Sequence, residues 1–134
     1  MKKLLVLLFS LLISFYFYGL FGFFEDTTAC VDTDTLKKDG LIYLPNETKP
    51  FTGNNLCKYE NGQNKSEGKV KDGKLDGKED DTWVYWHANG QKSSQRNYKD
   101  GKLDGKLYDW NEDGDIESEK TWQNGGCVSG DCPD

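Results

Sequence analysis

The chain has 134 residues and a formal net charge of −6, which allows one domain and argues against a partner held by phosphate charge, whether nucleic acid or anionic lipid headgroups. Its hydrophobic content of 35% would fill an ordinary core if evenly spread, but much of it is concentrated at the N-terminus. Without Lys2 and Lys3 the charge becomes −8, so the remainder is a polar, acidic chain with few aliphatic residues.

Residues 1–24, MKKLLVLLFSLLISFYFYGLFGFF, begin with two lysines, contain no acidic residue and run apolar from Leu4 to Phe24, the order of an export signal. The run of 21 residues is also long enough to cross a bilayer as a single hydrophobic helix. The expectation is therefore a signal peptide, cleaved after Gly19, Gly22 or Ala29, or a retained N-terminal membrane anchor. A lipoprotein site at Cys30 fits less well, because no leucine stands at the expected place before Thr28-Ala29. Either leading reading keeps Lys2 and Lys3 in the cytoplasm and sends the acidic remainder across the membrane. The expected address is thus periplasmic, membrane-anchored facing outward, or secreted. Membrane contact would come only through residues 4–24.

Beyond that segment the octapeptide KDGKLDGK occurs at Lys71 to Lys78 and again at Lys99 to Lys106, a spacing of 28 residues that marks an internal repeat. In register with it fall Asn61-Gly62-Gln63, Asn89-Gly90-Gln91 and Asp113-Gly114-Asp115, and, near the octapeptide, Asp72-Gly73, Asp100-Gly101 and Asn124-Gly125. Asn-Gly and Asp-Gly favour two-residue hairpin loops, because a type I′ turn needs positive φ at both central residues. The segments between them, such as TWVYWHA and QKSSQRNYK, are strand-like and show no helical stripe. A hairpin at Asn89-Gly90 would set Trp86 against Ser93 and Tyr85 against Ser94. One at Asp72-Gly73 would set Val70 against Leu75, and one at Asp100-Gly101 Tyr98 against Leu103. The second Asp-Gly of the octapeptide should bend the outgoing strand. Four extra residues, Glu79 to Thr82, lengthen one unit and are expected in an exposed loop or bulge.

The units WVYWHANGQKSSQRNYKDGKLDG and YENGQNKSEGKVKDGKLDG resemble the MORN-repeat variant of bacterial proteins, many of which carry a YwqK-like antitoxin label. The likeness covers about Gly53 to Gly125 as three units, the third, WNEDGDIESEKTWQNG, being the most degenerate. DGLIYLPNETKPFTG is similar to the element that opens such arrays. The resemblance implies an all-β fold, an elongated single-layer antiparallel meander of hairpin repeats stabilised by contacts between neighbours. The division is then a signal or anchor at 1–24, a cap segment at 25–52, three repeats at 53–125 and a cysteine-containing tail at 126–134.

Four cysteines, Cys30, Cys57, Cys127 and Cys132, agree with an oxidising address. Three pairings are open; Cys30 with Cys57 and Cys127 with Cys132 is preferred because it would tie both ends of the array. A zinc site fits poorly, since the spacing is not that of a finger and His87, the only histidine, is read as a surface strand residue. No nucleophile motif accompanies that histidine. Asp32-Thr33-Asp34 and Asn111 to Glu117 resemble calcium loops only loosely, with glycine misplaced and no bidentate glutamate. No metal, cofactor or catalytic residue is therefore expected.

Aromatic residues are the remaining candidates for recognition. Trp83, Tyr85, Trp86, Tyr108 and Trp110 are dense, and alternation puts Trp83, Tyr85 and His87 on one face and Val84, Trp86 and Ala88 on the other. They pack the repeats together, or one row stays partly exposed and binds a protein segment or a carbohydrate. The expected function is an exported, non-enzymatic protein-binding or scaffold module at the cell envelope, its partner unknown. The alternative is an antitoxin or immunity-type protein that neutralises a toxin by binding it.

Overall fold

The structure, a computed structural model, describes residues 27–77 and 82–133. The expected signal or anchor segment and the acidic run Glu79-Asp80-Asp81 lie outside the described residues. Within them the chain is all-β, with no helix: β1 (Thr28–Ala29), β2 (Leu36–Lys38), β3 (Leu41–Tyr43), β4 (Gly53–Lys58), β5 (Asn64–Lys71), β6 (Lys74–Asp76), β7 (Trp83–Trp86), β8 (Lys92–Lys99), β9 (Lys102–Trp110), β10 (Ile116–Gln123) and β11 (Gly126–Gly130). One mixed sheet runs in the order β1-β4-β5-β7-β8-β9-β10-β11, with β6 on the same edge of β5 as β7, and β2-β3 is a separate hairpin. Only β1 is parallel to its neighbour β4; every later pair is antiparallel.

The two kinds of turn are built differently, and their residues say why. At Asp72-Gly73, Asp100-Gly101 and Asn124-Gly125 both central residues have positive φ, between 49° and 85°, which is the type I′ geometry that twists with the flanking strands. Asp39-Gly40 repeats it between β2 and β3. The expected pairs Val70 with Leu75 and Tyr98 with Leu103 are present.

At the Asn-Gly-Gln sites, by contrast, only the glycine is left-handed: Gly62 at 84°, Gly90 at 88° and Gly114 at 90°. There the chain closes with bonds such as Gly90 N to His87 O (3.0 Å) and His87 N to Gln91 O (2.8 Å). These are three-residue loops ending in a glycine bulge, not the two-residue loops expected. The three-residue loop pairs Trp86 with Lys92 rather than Ser93, and a further register shift between Tyr85 and Trp86 returns Tyr85 to Ser94.

The second Asp-Gly of the octapeptide does bend its strand. Gly105 has φ of 117°, beside a register break between Arg96 and Tyr98, and the Asn97 amide donates to Lys106 O (3.0 Å). In the longer unit the strand is divided at this place into β6 and β7, with the extra residues between them.

The core gathers where the N-terminal segment covers one face of the sheet. Ala29, Ile42, Phe51, Val70, Trp83 and Tyr98 are buried together. Asn55, 1% exposed, fastens that segment: its Oδ1 accepts Val31 N (2.8 Å) and its Nδ2 donates to Ser66 Oγ (3.0 Å). The Trp83 Nε1–H is shared between Lys69 O (2.9 Å) and Asp76 O (3.0 Å), which fixes the indole flat over Gly68. A methyl group at Gly68 would fall inside that ring. Gly68→Ala is therefore expected to lower stability by about 2–3 kcal/mol through overpacking, against about 1–2 kcal/mol for Gly62→Ala, where only the left-handed backbone resists and the space is open. Urea midpoints of the two variants measure the difference.

Both expected disulfides are formed, Cys30–Cys57 and Cys127–Cys132, with sequence separations of 27 and 5. The longer loop restricts the unfolded chain more. Loss of the first bridge should cost about 3–4 kcal/mol and loss of the second about 2 kcal/mol by loop-entropy scaling; denaturation of the two double-serine variants under oxidising conditions tests the order.

Candidate functional site: a laddered sheet with two unlike faces

Successive turns are stitched to one another along both ends of the strands. At the Asp-Gly end each turn glycine donates its N–H to a carbonyl in the preceding corner: Gly73 to Phe51 (2.7 Å), Gly101 to Leu75 (3.0 Å) and Gly125 to Leu103 (2.8 Å). The stems of Lys74 and Lys102 lie alongside Gly101 and Gly125. Lysine after the turn thus covers the next glycine, and leucine supplies the acceptor.

At the other end the Asn-Gly-Gln triplet divides its work in the same way. Asn61 Oδ1 accepts Gln63 N (3.0 Å) within its own loop, while its Nδ2 donates to Ala88 O (2.9 Å) in the next. Asn89 does the same with Gln91 N (2.9 Å) and Glu112 O (2.9 Å). The Gln63 amide lies over Gly90, and that of Gln91 over Gly114.

One residue before each of the first two loops, a ring reaches forward. Tyr59 Oη donates to Trp86 O (2.7 Å), and His87 Nε2 lies 2.9 Å from Trp110 O. A carbonyl only accepts, so the proton of His87 sits on Nε2. His87 is a rung between repeats, a role that its repeat position beside Tyr59 could have signalled in the sequence.

The strands bring residues of different repeats into straight rows across the sheet. Cys57, Ser66, Tyr85, Ser94, Asp109 and Ser118 are successive direct partners on the covered face. Beyond the N-terminal segment this face becomes polar. Asp109 accepts from Ser94 Oγ (2.8 Å) and Ser118 Oγ (2.9 Å), with Lys120 Nζ at 3.7 Å and Arg96 Nη2 at 4.0 Å. Arg96 also stands over the Tyr85 ring, 5.0 Å from its centroid. Burial pushes the Tyr85 hydroxyl well above the ordinary phenol range, nearby Tyr98 adds to this, and Arg96 offsets part of it. The phenol is thus neutral across physiological pH.

On the opposite face the matching row is Leu56, Glu67, Val84, Gln95, Tyr108 and Glu119. Outgoing strands contribute apolar residues and returning strands polar ones. One step towards the Asn-Gly end, alternation adds Trp86 and Trp110 to this face. The candidate aromatic set is therefore divided. Trp83 and Tyr85 lie on the covered face, 6.1 Å apart between ring centres, with Trp83 only 3% exposed. Trp86, Tyr108 and Trp110 lie on the other face and remain partly exposed. Tyr108 and Trp110 have centroids 5.7 Å apart and planes inclined by 30°. Lys106 lies 5.8 Å from the Tyr108 centroid and 3.2 Å from Glu119 Oε1. Its amine is held above the usual lysine range by Tyr108 first and Glu119 second.

Two depressions mark this face. One of about 580 Å³ is lined by Leu56, Glu67, Lys69, Val84 and Trp86 among others. Another, of about 480 Å³, is lined by Gln95, Asn97, Lys106 and Tyr108, and Thr82 belongs to both walls.

The two loosely calcium-like segments are occupied by their own chain. Asp34 accepts Cys30 N (2.9 Å) and the Thr33 hydroxyl, which hold its carboxyl below the usual range, and Asp32 pairs with Lys65. Asn111 Oδ1 accepts from Asp113 N and Asp115 N, making that segment a hairpin turn. Among the described residues the one compact group of metal-ligand types is Cys30, Asp32 and Cys57, whose sulfurs are already joined to each other.

Comparison of the chain with protein-family models, curated proteins and solved structures finds no match in any of the three. Both disulfides are of the kind that persists in an oxidising compartment.

The ladder makes a specific demand on Asn89. Asn89→Asp keeps the acceptor for Gln91 N but removes the donor to Glu112 O and adds charge beside an acidic loop, at an expected cost of about 1 kcal/mol. Asp113→Asn, at the same position of the third loop, should change stability by less than about 0.5 kcal/mol. Thermal denaturation of both variants in low salt checks the contrast.

Proposed function

We propose that this chain is an exported, non-enzymatic binding or scaffold module at the cell envelope, built as an elongated single-layer meander of MORN-like hairpin repeats. In this reading residues 1–24 are the signal peptide or anchor, and the module works by presenting a rigid surface rather than by transforming a substrate. The observation that carries it is the unequal treatment of the two faces. One face is covered by the N-terminal segment and then closed by the Asp109 network. On the other, Trp86, Tyr108 and Trp110 stay partly exposed.

Their backbones are held in advance. Tyr59 secures the carbonyl of Trp86 and His87 secures that of Trp110. A backbone fixed before association has less freedom to lose when a partner arrives. Three aromatic residues on one uncovered sheet face form the type of central anchor that dominates binding energy elsewhere.

The test uses the oxidised chain immobilised against solubilised native envelope, with proteins and polysaccharides both measured in the eluate. Wild type should retain a component that the Trp86→Ala/Trp110→Ala double variant retains at least about tenfold less, with the two chains melting alike. Equal retention by both would overturn the reading, as would turnover of an envelope substrate by the purified chain.

A further inference from the structure

We infer that the uncovered face binds an extended, uncharged β-1,4-linked polysaccharide chain, a deepening that rests on the binding-module reading above. The first argument is spacing. Trp86 and Trp110 occupy equivalent repeat positions on β7 and β9: each follows a direct partner of Ser94, and each carbonyl accepts from the ring that precedes the neighbouring loop, Tyr59 for Trp86 and His87 for Trp110. One strand separates them, so their backbones stand about 9.5 Å apart. An extended β-1,4 glycan presents equivalent sugar faces every second residue, a repeat of closely similar length. Each tryptophan can therefore meet one sugar face of the same orientation.

The second argument is the chemistry of the contact. A pyranose offers a sheet of C–H groups on its face and hydroxyls around its rim. The negative faces of aromatic rings attract such polarised C–H groups. Tyr108 and Trp110, 5.7 Å apart and inclined by 30°, extend the stacking surface along β9. Around the rings stand groups that hydroxyls pair with: the amide of Gln95 and the carboxylates of Glu67 and Glu119.

The third argument is charge. The chain as a whole is at −6, yet this face sets Lys69, Lys92 and Lys106 against Glu67, Asp104 and Glu119. A balanced surface on an acidic protein selects neither a polyanion nor a polycation. Its two open depressions, one beside Trp86 and one beside Tyr108 with Thr82 in both walls, suit a chain laid across the strands better than a globular ligand held in a pocket.

The experiment titrates the oxidised chain with cellohexaose, chitohexaose and, as a curved α-1,4 control, maltohexaose, following tryptophan fluorescence and amide shifts by NMR. Cellohexaose or chitohexaose should bind in the micromolar to millimolar range and shift amides of β7 and β9. Trp86→Ala and Trp110→Ala should each weaken binding at least about tenfold, while Arg96→Ala, on the other face, leaves it unchanged. Absence of binding by both β-1,4 probes, equal binding of maltohexaose, or shifts confined to the covered face would overturn the inference. If the β-1,4 probes fail while the native envelope still yields a protein component sensitive to the double variant, the binding module stands and the glycan assignment falls. If that retention fails as well, both fall.

Discussion

Every other feature of this molecule depends on the chain reversing at Asp-Gly corners and on each corner being tied to the one before. The reversal needs two consecutive left-handed residues, which glycine adopts freely and aspartate or asparagine tolerates. The tie needs the second of them to aim its N–H at a carbonyl in the preceding corner, as Gly73, Gly101 and Gly125 do. Because the bond is made by backbone, a side-chain change elsewhere in the repeat leaves it intact. The third unit can therefore drift to Asn124-Gly125 and still dock. Repeats that each contact only their neighbours gain stability from these interfaces, not from a large shared core.

The ladder also explains a division of labour within the short motifs. In Asn-Gly-Gln, asparagine closes its own loop and bonds to the next, glycine supplies the bulge, and glutamine covers the next glycine. At Asp113-Gly114-Asp115 the closing acceptor is instead Asn111 Oδ1, which takes both Asp113 N and Asp115 N. At the opposite end of the sheet the N-terminal segment does the closing, with Asn55 and the Cys30–Cys57 bridge holding it to β4 and β5. That segment gives the sheet a covered face and hence an uncovered one.

Much of this was legible in the residues. The octapeptide and its companions located the corners, and β-period 2 correctly separated Trp83 and Tyr85 from Val84 and Trp86. Pairing of Val70 with Leu75, of Tyr98 with Leu103 and of Tyr85 with Ser94 followed from the Asp-Gly and Asn-Gly positions. Two features were misread or missed. Asn-Gly was taken for a two-residue loop, because the dipeptide is compatible with both loop types and the choice depends on the residue preceding it being able to stay right-handed. His87 was read as a surface strand residue and its bond to Trp110 O was missed, although it holds the repeat position of Tyr59, whose ring makes the equivalent bond to Trp86 O.

The order of residues by itself determined an all-β chain with reversals at fixed places and the alternation of side chains between faces; among three open cysteine pairings it only favoured the one that the structure forms. The reversals and the alternation are consequences of φ preferences and of a two-residue period, both local. Tertiary structure alone decided which face is covered, since that depends on where residues 29–52 return to the sheet and not on any property of the strands. It likewise decided that Ser66, Ser94 and Ser118 share one row with Tyr85 and Asp109, and that Trp86 and Trp110 align across β8. Register between strands of different repeats is set by bulges and by bonds between distant turns, and only the folded chain brings those together.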